Sequence, residues 1–494
     1  MSAPTTSSRI SCAERAARVR YRRAVTLLLM TLVLPGSAQL VAGNRNIGRN
    51  VLRGLAVLAA VVLAGLLWGI VHHSFLIQLS VSSSFLLVLR LGLIVLAVGW
   101  AVLFVDAWRI GQPPTLLTQH RRVTLGINAA LCLAVASVLL YGSHVVSVQR
   151  GFAQVMFAGN TVTDAHQGRY NVLLLGGDSG SGRWGLRPDS MTVASIDAST
   201  GRTVLVGLPR NMQNFHFNKG SVMAAQFPDG WGGDGNYLNG LSTWAEDHQD
   251  LFGDSENPGV DATIEGIEGI TGLEINYWAM VNLHGFHELV DAVGGVTLNV
   301  RQPIPVGGLG KDVTGYVKPG IRKLDGHEVL WFARARDSSD DYSRMARQKC
   351  VMGAMLSQLS PTTVLTHFTK IAKASSSMIS TSIPASEVDT FVSLALKAKS
   401  QKIATVSLVP PAIVTAHPNE TKVRRMIAQA ISGKKKPAKK PTKAATDATA
   451  SGSAGASSGS GADSGSGSVV TGGSLGSLKT GYAANQSQDL AASC

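Results

Sequence analysis

The chain has 494 residues, 45% of them hydrophobic, and its 45 Lys and Arg against 31 Asp and Glu give a formal net charge of +14. That length excludes a single domain, and the composition is visibly segmented. Its four cysteines lack the spacing of a metal site.

The first third carries three apolar runs of roughly 20 residues, enough to cross a bilayer: Val51–Val71, Phe85–Val105 and Val123–Tyr141. Arg90 falls near one end of the second run, where its side chain snorkels to the interface. An earlier run, Ala24–Ala42, is interrupted by Pro35-Gly36, and is expected to dip in and return or to lie at the interface. Arginines 9, 15, 18, 20, 22, 23, 45 and 49 precede the first span and arginines 109, 121 and 122 lie between the second and third, whereas the 72–80 loop has no Lys or Arg. The positive-inside rule then keeps 1–50 cytoplasmic and places everything after Gly142 outside the membrane. The first span directs export, so no cleavable leader is required. The expected organisation is a cytoplasmic segment over 1–50, a membrane region over 51–142, a linker over 143–164, an exported domain over 165–432 and a tail over 433–494. From Gly433 to Ser468 that tail lacks the apolar residues needed to fold and is expected to be disordered, the six lysines of this stretch keeping it extended or touching anionic wall polymers or head groups. Topology also argues against a nucleic-acid partner, despite the basic charge. Cys350 and Cys494 are the outer pair, and they are either bridged or two unrelated thiols.

Within the exported domain, Val- and Leu-rich runs at Asn171–Leu175, Met191–Ile196, Thr203–Leu208, Tyr277–Leu283 and Val296–Val300 predict strands. Helical patterns cover Ala262–Thr271, Gly285–Val293, Gly326–Arg334 and Asp341–Leu359. Strands alternating with helices predict an α/β fold, a mixed central sheet flanked by helices and preceded by an α-helical transmembrane region. Ligands in such sheets gather at the carboxyl ends of strands.

The last of these helices changes chemistry along one face. At roughly 100° per residue, Asp341, Arg344 and Gln348 share a stripe with Val351, Met352, Met355 and Leu359, and Arg347 lies at its edge. With Arg334 and Arg336 just upstream, four arginines fall within fifteen residues. A planar guanidinium bonds oxyanions bidentately, so this density points to phosphate rather than to a solvated, salt-bridged helix start. Strand ends supply more candidates: Asp178 in a glycine-rich turn, Arg187 and Asp189 in RPDS, and Arg210 in LPRN. That turn lacks the ending of a nucleotide P-loop. Carboxylates beside so many arginines help an anion only through a cation, and hard oxygens with phosphate suit Mg2+, held by Asp178 and Asp189. There is no Ser-His or Cys-His nucleophile motif, and the histidines show no zinc spacing.

These motifs and their order resemble the LytR-CpsA-Psr family: a strand leading to Asp178-Ser179, then Arg187-x-Asp189-Ser190, Leu208-Pro209-Arg210, Arg334-x-Arg336 and Asp341-x-x-Arg344-x-x-Arg347-Gln348. The resemblance covers roughly residues 168–360, and the final motif is the most specific. It implies a membrane-anchored, extracytoplasmic phosphotransferase that takes a polyprenyl-diphosphate-linked glycan and attaches it to peptidoglycan. It also implies that Asp178 and Asp189 hold magnesium, and that Arg187, Arg210, Arg334, Arg336, Arg344, Arg347 and Gln348 clamp the diphosphate while Asp341 orients arginines. Three positions depart from the pattern. Gly180 stands where the family often has arginine, a role left to Arg183. Asn211 replaces an aspartate and Tyr237 a lysine. The residues alone leave open a hydrolase that uses water as acceptor, or a non-catalytic protein that binds the lipid carrier.

Overall fold

The structure is a computed structural model that describes residues 12–71, 79–80, 82–156, 162–177, 187–308, 312–336, 339–358, 379–399, 401–433, 485 and 489–490. The chain divides into two compact units, 1–158 with 384–390, and 159–383 with 391–494.

In the first unit, helices α1 (Cys12–Val33), α2 (Ser37–Ala42), α3 (Arg45–Val71), α4 (Ser83–Ile110) and α5 (Thr118–Met156) follow in order. Among the described residues only α3, α4 and α5 are long and apolar enough to cross a membrane, and each extends past the run read from the sequence. The Ala24–Ala42 run is not one helix. It breaks at Pro35-Gly36, where Gly36 takes φ 93° and its α-carbon lies so close to Val51 that an added Cβ would come within 2.9 Å of Cγ1. The broken pair packs on α4. Leu27, Leu28 and Ala38 bury against Phe104 and Ala107, and the buried Gln39 donates to the Leu103 carbonyl (3.0 Å) and Asp106 Oδ2 (3.1 Å).

The second unit is built on a six-stranded sheet. Its strands are β1 (Arg169–Gly177), β2 (Pro188–Asp197), β3 (Thr203–Leu208) and β4 (Tyr277–Asn282), with two edge strands from later in the chain, Ile379–Thr381 and Ala404–Ser407. Two separate hairpin-like sheets pair β5 (Val296–Val300) with β8 (Gly320–Leu324), and β6 (Ile304–Gly307) with β7 (Val313–Val317). With these named, the edge strands are β9 (Ile379–Thr381) and β10 (Ala404–Ser407), and the main order is β10-β3-β2-β1-β4-β9. β1 pairs parallel with β4 and β3 with β10, while β2 runs antiparallel to β1 and β3, so the sheet is mixed.

Period-2 alternation divides the strand residues between two faces. Leu173, Leu175, Val204 and Val206 point into the larger core, closed by helices α6 (Pro258–Thr271) and, near the end of the domain, Glu420–Ser432. Leu174, Ala194 and Leu205 point to the opposite face. Between these segments come α7 (Leu283–Ala292), α8 (Gly326–Arg334) and α9 (Asp341–Gln358). α8 starts with a capping box in which Asp325 accepts from Glu328 N (2.8 Å) and Glu328 reaches back to Asp325 N. Cys350 and Val351 of α9 join Val329 and Phe332 of α8 in a second core over the small sheets. Cys350 is disulfide-bonded, and Cys494, the partner considered from the sequence, lies outside the described residues, as does Leu359.

Candidate active site

The carboxyl ends of β1, β3, β4 and β10 and the amino end of β2 share one edge of the sheet. At that edge the β1–β2 register slips. Gly176 faces Ser190 and Gly177 faces Pro188, which leaves Asp189 as the extra residue of a bulge. Bulges re-aim side chains beside functional sites. Arg210 follows the end of β3 by two residues, and α9 passes over the same strand, with Met345 Cε 3.8 Å from where a Cβ on Gly207 would lie. The start of α9 is fixed by Asp340, whose Oδ1 accepts from Tyr342 N (2.8 Å) and Ser343 N (3.0 Å). Asp341 and Arg344 thereby stand over the edge, and Arg336 arrives from the turn after α8.

Five of the sequence-predicted residues meet there. Asp189 Oδ1 accepts from Arg210 Nη1 (2.6 Å). Its Oδ2 accepts from Arg336 Nη2 (3.2 Å) and lies 3.6 Å from Arg344 Nη1. Asp341 Oδ2 accepts from Arg210 Nε (3.2 Å), and its Oδ1 lies 3.4 Å from Arg344 Nη2 and 3.5 Å from Arg336 Nε. Three guanidiniums against two carboxylates leave one net positive charge. Arg344 is 2% exposed and forms the floor, while the side chains of Asp189, Asp341, Arg210 and Arg336 remain open to solvent by about a quarter. Among the described residues, Nε of Arg344 and Nε of Arg336 are buried without a hydrogen-bond acceptor. Such orphaned donors call for an explanation, and an anion seated on the cluster supplies one.

The electrostatics follow from the geometry. Burial pushes Asp189 upward, but Arg344, Arg210 and Arg336 outweigh it and hold the carboxyl below its ordinary value. Burial lowers the Arg344 guanidinium to about 10, against the opposing pull of Asp341. Arg210 is less buried, and Asp189 and Asp341 raise it.

The other predicted residues fall elsewhere. Arg347 does not join the cluster. Fully buried, it turns to the end of α8, donating Nε to the Phe332 carbonyl (2.7 Å), Nη1 to Ser339 Oγ (3.2 Å) and Nη2 to the Ala335 carbonyl. A cation there satisfies carbonyls left open by a helix C-terminus and fixes the turn that carries Arg336. Arg334 places its guanidinium 5.1 Å from the Trp331 ring centroid. Arg187 is exposed at the mouth, 3.5 Å from Asn239 Oδ1. Asp178 and Arg183 lie outside the described residues.

Gln348 lines a cleft that starts at Asp189 and runs between α9 and the sheet, past Met345, Lys349, Met352, Leu205 and Ser407. Lys349 was not singled out from the sequence. Met345, Lys349 and Met352 nevertheless recur at i, i+4 and i+7, the spacing of one helix face. Its Nζ donates to Ser407 Oγ (3.3 Å) and the Asn485 carbonyl (3.5 Å), and burial lowers it to about 8.

The donor set of the cluster fits magnesium, the ion that the family resemblance implies. Each carboxylate oxygen has about two acceptor sites, Asp189 accepts one hydrogen bond at each oxygen, and its side chain is 25% exposed. Among the described residues no three His, Cys, Asp or Glu side chains are grouped to hold a metal, and magnesium commonly takes one or two carboxylates with phosphate and water completing its shell.

The LytR_cpsA_psr family profile matches residues 148–432. The chain is 31% identical over 193 residues to the polyisoprenyl-teichoic acid–peptidoglycan teichoic acid transferase TagU of Oceanobacillus iheyensis, covering 38% of this chain and 51% of the relative. It is 24% identical over 269 residues to biofilm regulatory protein A of Streptococcus mutans, covering 53% of this chain and 61% of the relative. The chain thus spans half to three fifths of these curated relatives. Bacillus subtilis TagV, a solved structure, is 22% identical, with 53% of this chain and 97% of that one covered at a TM-score of 0.38. With its family profile spanning more than half of the sequence, the chain belongs to the LytR-CpsA-Psr family.

Proposed function

We propose that the protein is a membrane-anchored phosphotransferase that moves a glycopolymer from a polyprenyl-diphosphate carrier to a hydroxyl of peptidoglycan on the outer side of the membrane. The single observation that carries this reading is the cluster of Arg210, Arg336 and Arg344 on Asp189 and Asp341, in which Nε of Arg344 and Nε of Arg336 are buried without a hydrogen bond among the described residues. The name of the Oceanobacillus relative, a polyisoprenyl-teichoic acid–peptidoglycan transferase, points the same way.

In this reading the diphosphate lies over Arg344, between Arg210 and Arg336, and the lipid enters the cleft beside Met345 and Met352. The acceptor hydroxyl attacks the phosphorus next to the glycan and gives its proton to water, the bond from that phosphorus to the bridging oxygen breaks, and the lipid leaves as its monophosphate. The fixed guanidiniums take up the charge that grows on that oxygen, and no reorganisation is needed at the moment of reaction. Asp189 and Asp341 keep the three planar groups aimed. Asp189, with Asp178 as second ligand, would hold a magnesium ion, which neutralises phosphate charge when bound.

The test uses the purified full chain in detergent with undecaprenyl-diphosphate-linked teichoic acid, with and without peptidoglycan. Polymer on peptidoglycan together with lipid monophosphate is the expected result, and Arg210→Ala is expected to lower the rate by about 10²–10³-fold. Release of free polymer at the same rate with and without peptidoglycan would instead show a hydrolase.

A further inference from the structure

Charge is unevenly placed along the second unit. Residues 220–300 hold thirteen Asp and Glu and neither Lys nor Arg, and over 301–323 the balance inverts, with five Lys and Arg against Asp312. The basic stretch carries β6, β7 and β8, with Lys318-Pro319 as the link between the last two. Arg301, Lys318 and Lys323 are exposed, and Arg322 is half-buried. The next acids along the chain, Asp325 and Glu328, are engaged with one another's backbone in the capping box of α8.

Period-2 alternation splits the β5–β8 pair into two faces. Val296, Leu298, Val300 and Leu324 are buried with Val329 and Phe332 of α8 and Val351 of α9. On the other face Lys323 stands opposite Thr297, and Ile321 opposite Asn299. Ile321 is 79% exposed, and Tyr316 of β7 is 60% exposed. One exposed isoleucine is ordinary on a protein surface. Here a tyrosine and an isoleucine lie five residues apart, with Lys318 between them and Arg322 and Lys323 directly after. That is the composition of a membrane interface, where apolar bodies enter the acyl boundary, an aromatic ring sits at head-group level and long basic stems reach the phosphates. A soluble polyanion would use the cations and leave Ile321 in water, whereas an anionic lipid surface takes up both.

We propose that the corner from Tyr316 to Lys323 is a membrane-docking surface: Tyr316 and Ile321 enter the head-group layer of an anionic bilayer, and Lys318, Arg322 and Lys323 meet its phosphates. This rests on the reading of the chain as membrane-anchored and not on the diphosphate chemistry. The attraction adds with each basic residue and fades within a Debye length, and the same surface repels the carboxylates of 220–300, so charge orients the domain as well as holding it. Because the chain is already tethered to the bilayer, a weak contact suffices. The docked sheet is braced to the helix that bears the arginine cluster, since Gln358 at the end of α9 accepts from Thr297 N (2.8 Å) and donates to the Thr297 carbonyl (2.7 Å).

The experiment reconstitutes the full chain in lipid nanodiscs with the photo-crosslinker benzoylphenylalanine in place of Ile321, of Tyr316, or of Gln249, an exposed residue of the acidic stretch. Lipid adducts are read by mass spectrometry, and melting temperatures are recorded, so that two probe positions keep the test readable if one replacement folds poorly. In discs of mixed phosphatidylglycerol and phosphatidylcholine, positions 321 and 316 are expected to give about tenfold more lipid adduct than position 249. Combining Lys318→Gln with Lys323→Gln, or using phosphatidylcholine alone, is expected to remove most of that excess. Equal yields at the three positions, or yields indifferent both to the lysines and to lipid charge, overturn the docking. Adducts to a second copy of the chain, or to added teichoic acid, in place of lipid overturn it too and assign the corner to that occupant. Both leaflets of the disc are alike, so the outcome does not depend on which side of the cell the domain occupies. Failure of the chain to enter the discs would refute the membrane anchor, and the docking with it, while leaving the diphosphate reading of the arginine cluster to its own test.

Discussion

Arg344 and Arg347 sit three residues apart on one helix and are equally buried, yet they answer to different partners. Arg344 faces Asp189 and Asp341 with one donor left over, whereas Arg347 reaches backbone carbonyls at the end of α8. Their substitutions should therefore separate. Arg347→Ala leaves buried carbonyls unpaired and is expected to cost about 3–5 kcal/mol, read as a lowered melting temperature. Arg347→Lys should not restore it, because one ammonium cannot reproduce the planar fork. A melting temperature unchanged in Arg347→Ala would remove the structural role assigned here. Lys349 offers a pH test. Its folded value is about 8, below the ordinary 10.5, so between these values the unfolded chain binds more protons and stability rises with pH. Below about pH 8 the burial cost is carried in full. The melting temperature of the wild type relative to Lys349→Met should accordingly climb from pH 8 to pH 10. A constant difference across that range would contradict it.

At the level of elements, the site depends on two local devices, the bulge that turns out Asp189 and the cap that starts α9. Asp340→Ala removes the acceptor for two backbone N–H groups and for Ser343 Oγ. The expected loss is about 1 kcal/mol, with weaker diphosphate binding, since Asp341 and Arg344 ride on that first turn. Equal affinity in the variant would show that the cluster does not need the cap. Four helices of the domain were legible because their apolar spacing is strong, while Leu241–Glu246, Val388–Lys399 and Glu420–Ser432 were not read. The helix Gly326–Arg334 and the strand Thr203–Leu208 match the bounds read from the sequence, and α9 starts at Asp341 as expected. The short strands were not, because β6, β7, β9 and β10 have three to five residues and gain their pairing only from distant partners. The same limit applied to Arg347: periodicity put it at the edge of the charged stripe, and only the position of α8 shows that carbonyls, not an anion, await it. Lys349 and Ser407 come together through a helix and a strand fifty-eight residues apart, which spacing alone does not reveal.

At the scale of the whole molecule, the unit that carries the long apolar helices and the unit that carries most of the LytR-CpsA-Psr match are separate and compact on one chain. The apolar runs at 51–141 were plain from composition, and the structure extends them into three long helices. The interrupted run before them was recognisable by Pro35-Gly36, but its packing onto α4 rests on Gln39 and Asp106, far apart in sequence. The arginine asymmetry that flanks the apolar helices predicts that the domain lies outside, so an alkaline phosphatase fused near residue 160 should be active, and an inactive fusion there with an active cytoplasmic reporter would reverse the topology. Everything else depends on whether the guanidinium cluster holds a diphosphate. The decisive measurement is calorimetric titration of geranyl diphosphate into the full chain and into Arg336→Ala, which leaves Arg344 its pairing with both carboxylates. A loss of affinity of about 10–100-fold with an unchanged melting temperature is the expected result, and equal affinity in both proteins would contradict the assignment of the cluster as the substrate site.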